Sequence, residues 1–185
     1  MMLKPAALFS DGAVLCRGKE IRIFGEADSG AVVTVRLEAA DGAVLAETVC
    51  RAGKDGRFLS LLPPQEAQTG CRMRMAAGGE EITVSDVSIG DVFLAGGQSN
   101  MEFTMSSRRK VKDWQKEVAA ANWPLIRHFN VAHKISREPL DDVEAVWETT
   151  TPQTIPPQSA VAFFFGETLH KALNVPVGLI NSSWG

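Results

Sequence analysis

Short apolar-rich runs, broken by glycine and aspartate, fill the first half of the chain. Glu20-Ile21-Arg22-Ile23-Phe24, Val32-Val33-Thr34-Val35-Arg36-Leu37, Val44-Leu45-Ala46-Glu47-Thr48-Val49 and Arg57-Phe58-Leu59-Ser60-Leu61 are the clearest. Arg72-Met73-Arg74-Met75 and Glu81-Ile82-Thr83-Val84 continue the series. Runs rich in β-branched residues with a period near two read as half-buried strands. Asp41-Gly42 falls between two of them and signals a hairpin. Turn residues recurring about every 8–12 positions point to a small all-β sandwich. This first domain is expected over residues 1–88.

A second domain is expected over residues 89–185, where composition shifts at Asp91. Val92-Phe93-Leu94-Ala95 is a continuous apolar run, the mark of a strand buried on both faces of a parallel sheet. The charges around Arg108-Arg109-Lys110 and Lys112 interleave with Val111, Trp114, Val118 and Ala121 at close to helical spacing. An amphipathic helix from about Ser107 to Ala121 is predicted, stopped by Pro124. Ile126-Arg127-His128-Phe129-Asn130-Val131 reads as the next strand, and residues 136–158 as a loop or irregular excursion. Ser159 is placed to cap a buried helix to about Leu173, which Asn174 and Pro176 end. Val177-Gly178-Leu179-Ile180 is then a buried strand. Alternating strands and helices of this kind are the opening of an α/β domain.

The chemistry concentrates at Gly96-Gly97-Gln98-Ser99-Asn100-Met101-Glu102, directly after the first parallel strand. Open α/β sheets bind ligands outside the carboxyl ends of their strands. Glycines there let the backbone turn sharply and approach a substrate. Ser99 is thereby a candidate nucleophile. The same residues also fit an ordinary strand-to-helix loop, with Ser99 or Asn100 as a cap. Met101 occupies the place of the last glycine in the Gly-x-Ser-x-Gly elbow, so this is not that motif.

Composition narrows the classes. Hydrophobic residues make up 45% of the 185 positions and the net charge is -3, which fits a globular protein rather than a disordered one. The one basic cluster has no aromatic platform beside it, and nucleic acid is not an expected partner. Cys16, Cys50 and Cys71 form no Cys-x-x-Cys and lie far from histidine. They are expected to be reduced structural thiols, in a cytoplasmic setting, with no metal site. No membrane span or signal core is expected.

Gly97-Gln98-Ser99-Asn100-Met101-Glu102 resembles the first block of the sialate O-acetylesterase family, a branch of the SGNH hydrolases. The likeness extends along the chain. Leu8-Phe9-Ser10-Asp11-Gly12-Ala13-Val14-Leu15, Phe24-Gly25-Glu26-Ala27, Leu62-Pro63-Pro64 and Val87-Ser88-Ile89-Gly90-Asp91-Val92-Phe93-Leu94 resemble the family's earlier segments. So do Gly30-Ala31-Val32-Val33-Thr34-Val35. Ser159-Ala160-Val161-Ala162-Phe163-Phe164-Phe165 and Val175-Pro176-Val177-Gly178-Leu179-Ile180-Asn181-Ser182-Ser183-Trp184-Gly185 resemble a later one. The resemblance implies a β-sandwich followed by a three-layer α/β/α SGNH-like domain, of which this chain holds the first part. It implies an esterase that needs no metal or organic cofactor and cleaves acetyl esters on sugars, with oligomeric state left open. Ser99 takes the nucleophile's place, and Gly185 falls at or beside the second-block glycine that helps bind the oxyanion. Gln98 and Asn100, from the first block, are the accompanying candidates for oxyanion or substrate contact.

The family's third-block asparagine and late Asp-x-x-His have no counterpart, since no aspartate here is followed three residues on by histidine. His128 and His133 read as polar or surface positions, and His170, one turn after Glu167, as half of a surface pair. A last apolar strand ending at Ile180 is expected to leave a bare sheet edge. Both points lead to the expectation that the chain is an N-terminal fragment, inactive alone. A carbohydrate-binding or scaffold protein without catalysis, an esterase for another acetylated glycan such as xylan, and one for short-chain lipid esters are the competing readings.

Overall fold

The computed structural model describes residues 2–107 and 111–185. It is mostly β-sheet with few helices, and the chain divides into two compact units, Met1–Gly90 and Asp91–Gly185.

In the first unit, β1 (Leu3–Pro5), β3 (Ile21–Ala27) and β6 (Arg57–Leu62) form one antiparallel sheet in the order β1-β3-β6. A second sheet contains β4 (Val32–Glu38), β5 (Val44–Arg51), β7 (Gln68–Ala77) and the start of β8 (Glu80–Gly97), in the order β8-β7-β4-β5. β2 (Val14–Cys16) pairs in parallel with Ser88–Gly90 of β8. The period of two does what the alternation requires. Phe58, Ser60 and Leu62 point inward from β6 while Arg57, Leu59 and Leu61 face solvent. Val33, Val35 and Leu37 of β4 enter the core beside Met73 and Met75 of β7. The hairpin at Asp41-Gly42 forms as expected: Gly42 has φ 89° and the Asp41 carboxylate accepts the Ala43 N–H at 2.9 Å. All three cysteines are free, and burial raises the thiol pKa of Cys50 and Cys71.

In the second unit, Asp91–Gly97 of β8 pairs in parallel with β11 (Val177–Ser183). β11 pairs in parallel with β9 (Trp123–Asn130), and β9 is antiparallel to β10 (Trp147–Thr150). The order is therefore β10-β9-β11-β8. This overturns the expected bare edge at the last strand. β11 lies in the middle, with both ladders occupied, because the chain leaves a gap between β8 and β9 that only a returning strand fills. The uncovered surface is elsewhere. Among the described residues no strand pairs with the other side of Asp91–Gly97, and Leu94 is 71% exposed. The expectation of burial on both faces thus fails for β8: Ala95 is buried, Leu94 is not.

Two further expectations are corrected. Residues 136–158 contain a strand, β10, whose Trp147 packs its ring 5.1 Å from that of Phe129. The amphipathic helix predicted from Ser107 is shorter: after α1 (Ser99–Glu102), α2 runs only from Trp114 to Ala120. Asp113 sits at φ 52°, a left-handed conformation that an α-helix of L-residues does not continue through. Arg108, Arg109 and Lys110 lie outside the described residues. The apolar positions of the prediction still converge, since Val111, Trp114, Val118 and Ala121 share a cluster with Met105, Ile155 and Phe163.

The helix α3 (Ala160–Leu173) matches its prediction. Ser159 caps it, its Oγ accepting the Ala162 N–H at 3.2 Å and donating to the Met101 carbonyl at 2.6 Å. One hydroxyl thus caps the start of a helix and anchors the segment after Ser99. Asn174, at φ 52°, closes the other end. Gly166 lets the helix lie close on β11, where an added Cβ would meet Leu179 Cδ1 at 2.8 Å. Ser159→Ala is expected to lower stability by about 1–2 kcal/mol, the loss of a cap and of one buried hydrogen bond. Urea unfolding would register it as a lower midpoint with an unchanged slope.

Candidate active site

The turn after β8 is made by Gly97, whose φ of 148° is a backbone state that side chains disfavour. Gln98 is extended, and its carbonyl accepts the N–H groups of Met101 at 2.9 Å and Glu102 at 3.0 Å, which opens α1. Ser99 is the first residue of α1, exposed, as are Gln98 and Asn100. Ser99 is therefore not a side-chain cap, and no side-chain cap bond forms at Gln98. Among the described residues the Ser99 hydroxyl has no hydrogen-bond partner. The first N–H groups of a helix also find no partner within the helix.

Ser183-Trp184-Gly185 runs back against this turn. The Trp184 N–H donates to the Gly97 carbonyl at 2.9 Å. Gly185 lies so close that a Cβ on it would fall 2.2 Å from the Ser99 nitrogen and 2.6 Å from its Cα. No residue but glycine fits there without backbone displacement. The fold brings Ser99 and Gly185 together. It also directs the Gly185 N–H at the Glu102 carboxylate, 2.8 Å away, rather than at open space.

The three histidines differ from their expected settings. His128 is buried, 2% exposed, on β9, not a surface position. Its Nε2 has no partner among the described residues, and burial pushes its pKa down to about 4. His170 does not pair with Glu167, which binds Lys171 one turn on. Its Nδ1–H donates to the Val175 carbonyl at 2.7 Å. His133 is the one that reaches the site. Its ring stacks on Trp184, centroids 4.4 Å apart and planes nearly parallel. Its Nε2–H donates to the Ser183 carbonyl at 2.9 Å, with Glu102 Oε1 3.5 Å away. None of the three is hydrogen-bonded to Ser99.

The buried His128 makes stability depend on pH. Its folded pKa lies below the unfolded value near 6.5, so the neutral ring is the folded form. Below about pH 6.5 the unfolded chain takes up a proton that the folded chain refuses, and stability falls until about pH 4. The difference corresponds to a loss of about 3 kcal/mol. His128→Leu is expected to flatten that part of a plot of unfolding free energy against pH.

No family model matches the sequence. The mouse (Mus musculus) protein named sialate O-acetylesterase is 30% identical over 176 residues, 88% of this chain and 32% of that protein. The human protein of the same name is 28% identical over the same length, 33% of its own. A crystal structure of a carbohydrate acetylesterase from Xanthomonas citri superposes with a TM-score of 0.88 at 33% identity, covering 98% of this chain and 40% of that one. This chain is similar to sialate O-acetylesterases. It spans about a third of the length of the curated relatives it matches.

Two residues packed beside the Ser99 turn, Glu102 and His133, are not among the site candidates read from the sequence. Glu102 was visible as the end of the serine block, without a task. His133, in a polar stretch beyond a strand, has no local signal that ties it to Trp184, 51 residues later. Among the described residues no group of three His, Cys, Asp or Glu side chains is placed to hold a metal ion. No helix among them is long and apolar enough to cross a membrane.

Proposed function

We propose that the protein containing this chain is a carbohydrate O-acetylesterase that works through Ser99. The observation that carries this reading is an exposed serine on a tight turn off a parallel strand, with Gly185 packed on its backbone. The similarity to named sialate O-acetylesterases and to a carbohydrate acetylesterase supports the substrate class. In this reading residues 89–185 are the first part of a three-layer α/β/α domain of the SGNH type, preceded by the sandwich of residues 1–88.

The reaction is acyl transfer. Ser99 Oγ attacks the acetyl carbonyl while a base takes its proton. The tetrahedral oxyanion collapses, the sugar oxygen leaves with that proton, and Ser99 holds the acetyl group. Water then attacks the acetyl-enzyme and releases acetate. A serine hydroxyl needs a base in hydrogen-bond reach, and the developing oxyanion needs donors. The Ser99 N–H is the first such donor, with Gln98 and Asn100 flanking the substrate. The Gly185 N–H is held by Glu102, so the contribution of Gly185 is its close backbone fit. Among the described residues no histidine is hydrogen-bonded to Ser99, and the base that takes its proton is not assigned to any of them.

A sugar-binding protein without catalysis is the second reading, to be set against the esterase by experiment. The test is acetate release by the full-length gene product from O-acetylated sialic acid, acetylated xylan and longer acyl esters, alongside labelling by a fluorophosphonate. Turnover of acetylated sugars with label on Ser99 supports the esterase. Saturable sugar binding with neither turnover nor label supports the second reading.

A further inference from the structure

We propose that Glu102 is a positioning residue, and that with His133 it clamps Ser183-Trp184-Gly185 against the Ser99 turn. The inference rests on the esterase reading above and assigns a task to two residues that reading leaves idle.

Each residue of the returning segment is held by this pair or by the turn itself. The Ser183 carbonyl accepts from His133 Nε2. The Trp184 ring lies flat on the His133 ring, and its N–H is bonded to Gly97. The Gly185 N–H donates to Glu102 Oε2 at 2.8 Å. Glu102 Oε1 stands 3.5 Å from His133 Nε2, so one carboxylate touches both halves of the arrangement. Glu102 is itself the last residue of α1, three positions after Ser99 on a one-turn helix. A shift of the carboxylate therefore moves Gly185 relative to the serine backbone it abuts.

Such a contact matters because reacting groups must be placed to a fraction of an ångström. A misplacement of about 1 Å costs on the order of a hundred-fold in rate. Removing one hydrogen bond of the clamp displaces the segment by less. The expected loss is about ten-fold, in kcat rather than in KM, because the contact orients the serine turn without touching the sugar. A carboxylate accepting from a backbone N–H is also replaceable by an amide oxygen, which accepts at the same reach though without the charge.

The test uses the full-length gene product and four forms: wild type, Glu102→Ala, Glu102→Asp and Glu102→Gln. Aspartate keeps the charge but is one methylene too short to reach Gly185, and stands in if the alanine form does not fold. Second-order labelling of Ser99 by a fluorophosphonate is read beside kcat and KM on an acetylated sugar. We expect labelling and kcat to fall about ten-fold in the alanine and aspartate forms, with KM within two-fold and the glutamine form near wild type. Labelling of the aspartate form within two-fold of wild type overturns the clamp. So does a glutamine form as slow as the alanine form, which would make charge, not reach, the requirement. The Ser99→Ala form, measured in parallel, reports on the esterase reading separately: if it retains turnover, that reading fails whatever Glu102 does.

Discussion

Replacing Ser99 by alanine in the full-length gene product is expected to lower acetyl-ester hydrolysis by about a thousand-fold or more, the loss seen when a triad member is removed. The change deletes the atom that forms the acetyl-enzyme and leaves only the binding and oxyanion contributions. It is also expected to be structurally mild. Ser99 is exposed, and its hydroxyl has no partner among the described residues. Surface substitutions of this kind stay within about 0.5 kcal/mol of wild type. Lost turnover at an unchanged unfolding midpoint is thus the specific outcome. Acetate release at the wild-type rate by the alanine form removes Ser99 from the mechanism.

Gly185→Ala is expected to cost about a hundred-fold in kcat/KM, the scale of an ångström-sized misplacement. The new methyl group would stand 2.2 Å from the Ser99 nitrogen, 2.6 Å from its Cα and 2.9 Å from its Cβ. Two of these are backbone atoms, which cannot swing aside as the tip of a long side chain does. Either the returning segment retreats and gives up the bond to Glu102, or the serine turn is pushed from β8. Both routes disturb the nucleophile. The measurement is the rate of fluorophosphonate labelling with the unfolding midpoint as control. Labelling at the wild-type rate would mean that the close approach has no bearing on Ser99.

Much of the architecture was open to reading from residue order. The period of two in Arg57–Leu62 and Val32–Leu37 dictates which side chains enter the sandwich core, since a strand presents alternate residues to opposite faces. Ser159 and Asn174 bracket α3 because a side-chain oxygen satisfies its first N–H groups and a left-handed residue ends its last turn. The serine turn was legible for the same reason: glycine behind an apolar run is local chemistry.

Other features follow from contacts between residues far apart in the chain. The apolar run Val177–Ile180 looks the same at the middle of a sheet as at its edge, and its place between β8 and β9 is a matter of which ladders remain open when it arrives. His128 and His133 are five residues apart, yet one is sealed under α3 near Phe163 and the other is stacked on Trp184 beside the Ser99 turn. The left-handed Asp113 cut short a helix whose apolar spacing was sound. Alternation, caps and turn glycines act over a few residues, so the amino-acid order alone determined most of the sandwich strands, β9, β11, α3 and the position of Ser99. Strand order, the burial of each histidine and the grip of Glu102 and His133 on Gly185 arise from packing between distant segments. Only the folded chain, by bringing those segments within hydrogen-bond and van der Waals reach, sets them.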